Sequence, residues 1–462
     1  MVKLINARKS PLNIEVLIGT DVNDVNALFL WEDNTTKIPL HSEVINLYAN
    51  TGYYSGLNKN IDFFKNDVIF KIIRLDTYEI MFTHIFKNFN FINGKSILYI
   101  SQNNYSGYSY SARNYIFQLL QNGYTVHWIN NVFDKSTYKP CNEEERLVFN
   151  CENKYDPSIV YDSVIIHHVP DGWNDAKKYF RLSKKVYGLT TWETTHLHAQ
   201  WVDYINLSVV DEVIVPSFFN KKSFIDSGVV KNINVWYHDI FSFVHNDNLS
   251  VNNILNKFFI YKDGVYTQSS NLVKTIIDNN TVYYNISQYN ERKNINQVIS
   301  TFCSKFTGDD NVCLFIKTYF KEFTVAQTEM LKYKFAELLN NYNNIPPIIF
   351  CFDSLSDDEV NLIHEFGDVY FTLNRGEGFG LCTYTAKKIG NKVICGKFGA
   401  EKEFLSITDS LVSYTLESPF NMEVYHNWYN DDRQKWAVFD DKDVLDCLHF
   451  YPKTIKTKYN YK

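Results

Sequence analysis

The 462-residue chain lacks what several function classes require. Its eight cysteines, Cys141, Cys151, Cys303, Cys313, Cys351, Cys382, Cys395 and Cys447, form no C-x-x-C pair, so the usual spacing of a zinc site is missing. Several lie in apolar runs, such as Cys313 in VCLFI and Cys351 in IIFCF, and read as buried free thiols of a reducing compartment. Excess positive charge is also missing. The formal net charge is -6, which leaves no basic surface for nucleic acid and no polybasic membrane patch. The Lys-rich end, 453–462, is short and reads as a solvated tail. No apolar run approaches the roughly 20 residues of a membrane span. The opening MVKLINARKSPLN has no apolar core of a signal peptide. Together these absences predict a cytoplasmic protein with no transmembrane segment and no nucleic-acid partner.

The rest of the composition is that of a globular protein, 45% apolar and 21% charged. Aromatic content is high at 16%, with 33 Tyr and 35 Phe. The preference for Lys over Arg, with abundant Asn and Ile, reads as the codon drift of an A/T-rich genome. The length exceeds what one hydrophobic core holds and predicts two domains with a small extension.

Residues 1–95 show short apolar stretches and turn signals but no chemistry, and read as an N-terminal extension. From Ser96 the pattern becomes regular. Residues 96–100 (SILYI) read as a buried parallel strand. A polar loop with Gly107 and Tyr108 follows, then a helix with Ala112, Ile116, Leu119 and Leu120 on one face, stopped near Gly123. Further strands are expected at 126–129, 164–166, 186–190, 213–215 and 233–237, and Pro216-Ser217 opens a helix that ends near Gly228. Residues 241–280 are Asn- and Ser-rich and read as the linker. A second series follows. Ile295, Val298, Ile299 and Phe302 fall at i, i+3, i+4, i+7 of an amphipathic helix. Strands are expected at 312–316, 348–352, 369–373, 392–395 and 411–416, and Ser356 with Glu359 forms a capping box. This is α/β architecture in two doubly wound halves, whose ligands bind beyond the carboxyl ends of the strands.

The richest loop is 374–381 (NRGEGFGL), placed after a strand and opening a helix in which Cys382, Ala386 and Ile389 face inward and Gly390 ends the run. Three glycines permit close approach of the backbone to a ligand. A helix N-terminus offers free N–H groups and a positive dipole end to phosphate. Glu377 in their midst is badly placed for phosphate and well placed for sugar hydroxyls, so the loop suits a ligand carrying both. The spacing is a poor match to the G-x-G-x-x-G of a nicotinamide-cofactor site. The plain alternative is a tight strand-to-helix turn with a solvated Glu.

RGEGFGL, followed by Thr385-Ala386 and Gly390, resembles the E-x7-E segment of retaining glycosyltransferases of family 4, which have the GT-B fold. SGYSYSARNYIFQLLQNGYTV, TTWETT, DEVIVPS, ERKN with LFIKT, and YNDDRQKWAVFD resemble further segments of that family in the same order, over roughly 96–440. The resemblance implies two Rossmann-like domains facing a cleft, with 96–245 binding acceptor, 246–428 binding nucleotide sugar and 429–462 crossing back. It implies transfer of a hexose from a nucleotide-diphosphate sugar to a glycan or other hydroxyl acceptor, with retention and with no metal or other cofactor. The other transferase fold class uses a D-x-D metal motif, and neither Asp309-Asp310 nor Asp357-Asp358 has that form.

Residue by residue, the resemblance implies that Glu377 binds the donor sugar and that Gly378, Phe379, Gly380 and Leu381 meet the diphosphate, with Arg375 and Gly376 in the same loop. It implies Lys293 as the phosphate-binding Lys, with Arg292 beside it and Lys317 at its strand end pointing into the cleft. An ammonium there offsets charge on the leaving diphosphate. Thr385 stands where the family has its second Glu, the ribose ligand, and Ser287 and Gln288 occupy the stretch of an expected Arg. Glu193 stands where a His is common, which makes it a catalytic candidate with Glu377 and Lys293. Gly107, Tyr108, Arg113, His168 and Trp192 complete the acceptor side. The alternative is a non-catalytic nucleotide-sugar or glycan-binding relative of the same fold.

Overall fold

Two parallel sheets form from the two series of apolar runs, and neither sheet borrows a strand from the other. The computed structural model describes residues 94–130, 138–152, 154–180, 183–238, 249–262, 264–405, 409–420 and 426–453, together with the backbone of seven earlier strands. Those seven are β1 (Val2–Lys9), β2 (Asn13–Thr20), β3 (Val25–Asp33), β4 (Pro39–Leu47), β5 (Thr51–Asn58), β6 (Val68–Arg74) and β7 (Ile80–Phe86). They pair antiparallel in two sheets ordered β1-β2-β5 and β4-β3-β6-β7. The sequence reading assigned these residues no secondary structure beyond short apolar stretches and turns.

The first parallel sheet comprises β8 (Ser96–Ser101), β9 (Thr125–Ile129), β10 (Tyr161–His167), β11 (Ser183–Leu189), β12 (Glu212–Val215) and β13 (Asn232–Val235), in the order β13-β12-β11-β10-β8-β9. Helices α1 (Gly107–Gln121), α2 (Glu143–Phe149), α3 (Ala199–Leu207) and α4 (Phe218–Ser227) lie between these strands in sequence. The chain runs from β8 outward to β9, then resumes on the other side of β8 with β10. The loops after β8 and β10 therefore part at their carboxyl ends and leave a crevice. In α1, Ala112, Ile116 and Leu119 are buried as their spacing predicts, and Leu120 is half-buried. Ser217 caps α4 by accepting from the Asn220 N–H, and left-handed Gly228 ends that helix.

The second sheet comprises β14 (Phe258–Lys262), β15 (Val265–Thr267), β16 (Thr281–Ile286), β17 (Val312–Lys317), β18 (Ile348–Cys351), β19 (Val369–Phe371), β20 (Lys392–Gly396) and β21 (Ser410–Val412). Its order is β15-β14-β18-β17-β16-β19-β20-β21. All six residues of β16 and of β17 are buried, as befits central strands covered on both faces. With the strands run α5 (Ser270–Asn279), α6 (Ile295–Lys305), α7 (Val325–Leu339), α8 (Asp357–Phe366) and α9 (Leu381–Lys388). The expected face of α6 is buried at Ile295, Val298, Ile299 and Phe302, and Ser356 and Glu359 close the capping box of α8. Here β16 leads outward to β17 and β18, and the chain returns beside β16 as β19. The loops after β16 and β19 thus flank a second crevice, which faces the first. This is the GT-B arrangement: two Rossmann-like sheets about one cleft.

Two expectations change. The stretch read as linker, about 241–280, holds β14, β15 and α5 from 258 onward. β14 (FFIYK) pairs antiparallel with β18 and is mostly buried, and its short apolar run is masked by the Asn- and Ser-rich residues around it. The strand expected at 411–416 divides. Its first part is β21, and its second is β22 (Thr415–Glu417), which pairs with β23 (Trp436–Val438) in a separate ribbon. After His426 the chain touches the first half, where the Thr195 N–H donates to the Lys435 carbonyl at 3.0 Å. It then returns to the second half through β23 and α10 (Asp441–Cys447), whose Val444 joins the core beneath α6. All eight cysteines are free.

Candidate functional site

A cavity of about 620 Å³ lies between the carboxyl ends of the two sheets and is lined from both halves. The halves are held together around it. Arg113 on α1 pairs with Asp357 at the start of α8 at 2.7 Å, and the Asn142 amide donates to Asp358 at 3.1 Å. On the other side, the Ser217 hydroxyl donates to the Gly378 carbonyl at 2.7 Å. The Glu403 carboxylate reaches across to the α4 amides, accepting from the Phe218 N–H at 3.1 Å and the Phe219 N–H at 2.7 Å.

The loop after β19 carries the chemistry. Gly380 has φ +87°, a conformation only glycine adopts without strain, and no side chain caps the helix it opens. The first amides of α9 thus face the cavity wall at Leu381, Cys382 and Thr383. Gly376 and Gly378 have a different reason from the one expected. A Cβ on Gly376 would collide with the Glu193 carbonyl, and one on Gly378 with the Thr191 hydroxyl, with the Trp192 carbonyl 2.8 Å away. These two glycines make room for the opposite half of the protein, and Gly378 also lines the cavity as expected.

Glu377 is nearly enclosed and forms ion pairs with Lys293 and with Arg292, the latter at 3.2 Å. Lys293 and Arg292 come from the loop after β16, 84 and 85 residues away in sequence, and the strand order alone brings them here. Arg292 also donates to the Gly376 carbonyl at 2.7 Å and lies 3.5 Å from Glu193. The Tyr429 hydroxyl donates to Glu193 at 2.7 Å. A charged chain, Glu193–Arg292–Glu377–Lys293, therefore crosses the cleft from one half to the other. Burial pushes the Glu377 carboxyl up, but the two cations outweigh it and hold its pKa below the usual value.

Lys317, at the end of β17, also lines the cavity. It is 6% exposed, and among the described residues no carboxylate pairs with it. Its ammonium lies 4.9 Å from the Tyr319 ring and 4.7 Å from the Phe323 ring, and burial lowers its pKa. Of the other donor-side residues, Phe379, Gly380, Leu381 and Thr385 line the cavity. The Thr385 hydroxyl is turned back to the Leu381 carbonyl at 3.0 Å.

On the opposite wall lie Gly107, Tyr108, His168, Trp192 and Glu193. The Tyr108 hydroxyl meets that of Thr190 at 2.9 Å. The Trp192 indole donates inward to Thr194 and to the His196 carbonyl, each at 2.7 Å, and its ring stacks on Tyr429.

Three predicted site residues, Arg375, Arg113 and Gly376, lie outside the cavity lining. Arg375 points away from the cavity, donating to the Glu291 carbonyl at 3.1 Å and Asn294 at 3.2 Å, under the rings of Phe420 and Trp436. Arg113 is fully buried beneath the wall, over the Tyr138 ring and between Asp357 and Glu145. Both guanidiniums fasten segments together through several acceptors, although the Arg113 Nε makes no hydrogen bond and lies 3.4 Å from Glu145. Gly376 lies outside the cavity lining and contributes its carbonyl to Arg292. Sequence reasoning did not pick out Tyr429 or Asn374 as site residues, although both line the cavity. Asn374 opens the 374–381 loop and Tyr429 opens YNDDRQKWAVFD, but only the fold shows what each one faces. Among the described residues no group of three His, Cys, Asp or Glu is placed to hold a metal ion, and no helix is long and apolar enough to cross a membrane.

No family model matches the chain, and no curated protein matches its sequence. Similar solved structures include Anabaena HepE in complex with UDP-glucose, at 14% identity over 69% of this chain and 86% of that one, with a TM-score of 0.46. They also include sucrose-phosphate synthase from Thermosynechococcus elongatus, at 14% identity over 69% and 86%, with a TM-score of 0.45. WaaG, a glycosyltransferase involved in lipopolysaccharide biosynthesis, is similar at 8% identity over 76% and 89%, with a TM-score of 0.46.

Proposed function

We propose that this chain is a glycosyltransferase that moves a hexose from a nucleotide-diphosphate sugar to a hydroxyl acceptor, such as a glycan, with retention of configuration. One observation carries the reading: Lys293, Arg292, Lys317 and the uncapped start of α9 converge on a single cavity, with Glu377 among them. Cations and free amides suit a diphosphate, and a carboxylate at their edge suits the hydroxyls of the sugar attached to it. As the bond to the anomeric carbon breaks, negative charge grows on the diphosphate. The two ammoniums and the helix amides are already aimed at it, so the protein itself supplies the compensation. No metal is needed in this reading. Retention rests on the resemblance to family 4.

Acceptor binding falls to the first half, with Tyr108, His168 and Glu193 facing the donor wall and Tyr429 orienting Glu193. Tyr105, Tyr110, Trp428 and Phe323 add aromatic surface to the lining, which suits the flat faces of sugars. The free thiols fit a cytoplasmic location.

The test is calorimetric titration with UDP-glucose, GDP-mannose and ADP-glucose in the presence of EDTA, followed by assay of nucleotide release. At least one donor is expected to bind and to turn over without added metal. If none binds, the reading is wrong. Binding with no turnover across an acceptor panel identifies a binding-only relative instead.

A further inference from the structure

Beneath the donor loop, off the cavity wall, lies a second carboxyl. Glu401 is 1% exposed and belongs to the turn Ala400–Glu403 that follows β20. The turn is tied to Glu377, because the Ala400 N–H donates to the Glu377 carbonyl at 3.1 Å. The Glu401 side chain fills the space under Gly380, where a Cβ would lie 2.6 Å from its Cγ and 2.8 Å from its Oε1. The Thr383 hydroxyl, in the first turn of α9, donates to that Oε1.

No Lys, Arg or His pairs with Glu401 among the described residues. The carboxylate of Glu377 faces it, and Lys293, the nearest cation, is committed to Glu377. The other titratable groups around it are Tyr370, Cys382 and Cys395, none of them a cation. Two carboxyls thus share a dry pocket whose cations serve only one, and such a site holds the other as the acid. A second observation agrees. The Asn374 side chain hydrogen-bonds to Glu401 and pulls its pKa down, less than burial and Glu377 push it up, while the buried Asn374 Oδ1 has no hydrogen-bond partner. A buried amide oxygen without a donor is costly, and a neutral carboxyl offers the O–H that a carboxylate lacks.

We propose that Glu401 is a neutral carboxylic acid and a positioning residue for the proposed transfer, accepting from Thr383, donating to the Asn374 oxygen and so holding the donor loop around Glu377. The inference rests on reading the cavity as a nucleotide-sugar site. Burial, then the charge of Glu377, raises the Glu401 pKa to about 8. The acid form, and with it the loop, is intact below that pH and is lost as pH rises through it.

Two measurements on the full chain test this. Infrared difference spectra of wild type against Glu401→Gln are expected to show a carboxylic-acid C=O band at pH 7 that vanishes toward pH 9. Affinity for whichever of UDP-glucose, GDP-mannose or ADP-glucose binds is expected to fall about tenfold per pH unit above the titration midpoint in wild type. Glu401→Gln keeps pH 7 affinity within about threefold and lacks this alkaline fall, whereas Glu401→Ala is weaker at every pH. A carboxylate signal at pH 7, or an unchanged alkaline fall in Glu401→Gln, overturns the proposal. If no donor binds wild type, the function reading fails, while the infrared band still decides the state of Glu401.

Discussion

Glu377→Ala is expected to lower the transfer rate by about 10³-fold or more while leaving the protein folded. The carboxylate is the one anionic group on the donor wall that two cations hold in its charged form at the cavity surface. Losing a preorganised contact made at the reacting sugar costs on the order of 10²–10³ in kcat. The loss is compounded here, because Lys293 loses its carboxylate partner and Arg292 keeps Glu193 as the acid beside it among the described residues. The two cations keep partial access to water, with side chains 19% and 13% exposed, so their loss of a partner is tolerated by the fold. Nucleotide release at saturating donor, read beside a circular-dichroism melt, measures both effects. Turnover within about tenfold of wild type would remove Glu377 from the mechanism.

Lys317→Met is expected to act in opposite directions on stability and on binding. The ammonium is buried beside two aromatic rings, with Asp353 acting on it but no carboxylate in salt-bridge contact among the described residues, and cation–π contacts recover part of its hydration. Its pKa is lowered by that burial, so the folded state resists a proton that the unfolded chain binds freely. The resulting cost is full below the folded pKa and disappears as pH rises past the unfolded one. An isosteric apolar side chain removes it, and a gain of about 1–3 kcal/mol at pH 7 is expected. Donor affinity should fall about 100-fold, since a charge-assisted contact to the diphosphate contributes roughly 1.5–3 kcal/mol. Thermal melts without ligand and calorimetry with the best donor measure the two. A lower melting temperature would show that Lys317 has an internal partner and is not held for a ligand.

Much of the fold was legible because central strands and amphipathic helices are local. Residues 312–316 are an unbroken apolar run, and β17 is buried throughout. The i, i+3, i+4, i+7 face of α6 needs no knowledge of its neighbours. Edge elements were harder. β14 is itself a short apolar run, but its Asn- and Ser-rich flanks and the largely exposed β15 make the stretch read as a loop. The same division runs through the site. Glu377 stood out because it lies in a glycine-rich loop just past a strand, where a doubly wound sheet places its ligands, while Lys293 was named only from the resemblance. Arg375 and Arg113 were misread as ligand contacts, because a sequence shows a positive charge without showing whether carbonyls and acids enclose it. Tyr429 acts on a residue 236 positions away, and Glu401 works from beneath the loop. Only the folded path of the chain makes either one a site residue. Gly376 and Gly378 show the subtlest error. Their small size was correctly read as a need for space, but the nearest occupants are the Glu193 carbonyl and the Thr191 hydroxyl of the opposite half.

The reach of Glu403 into α4 has a further consequence. Two amides at the start of that helix, on Phe218 and Phe219, are protected by a carboxylate from the other sheet. When the halves part, those hydrogens lose their acceptor and meet solvent before any strand is disturbed. Their deuterium uptake should therefore clock the breathing of the cleft, and a bound donor that keeps it shut should slow both amides together.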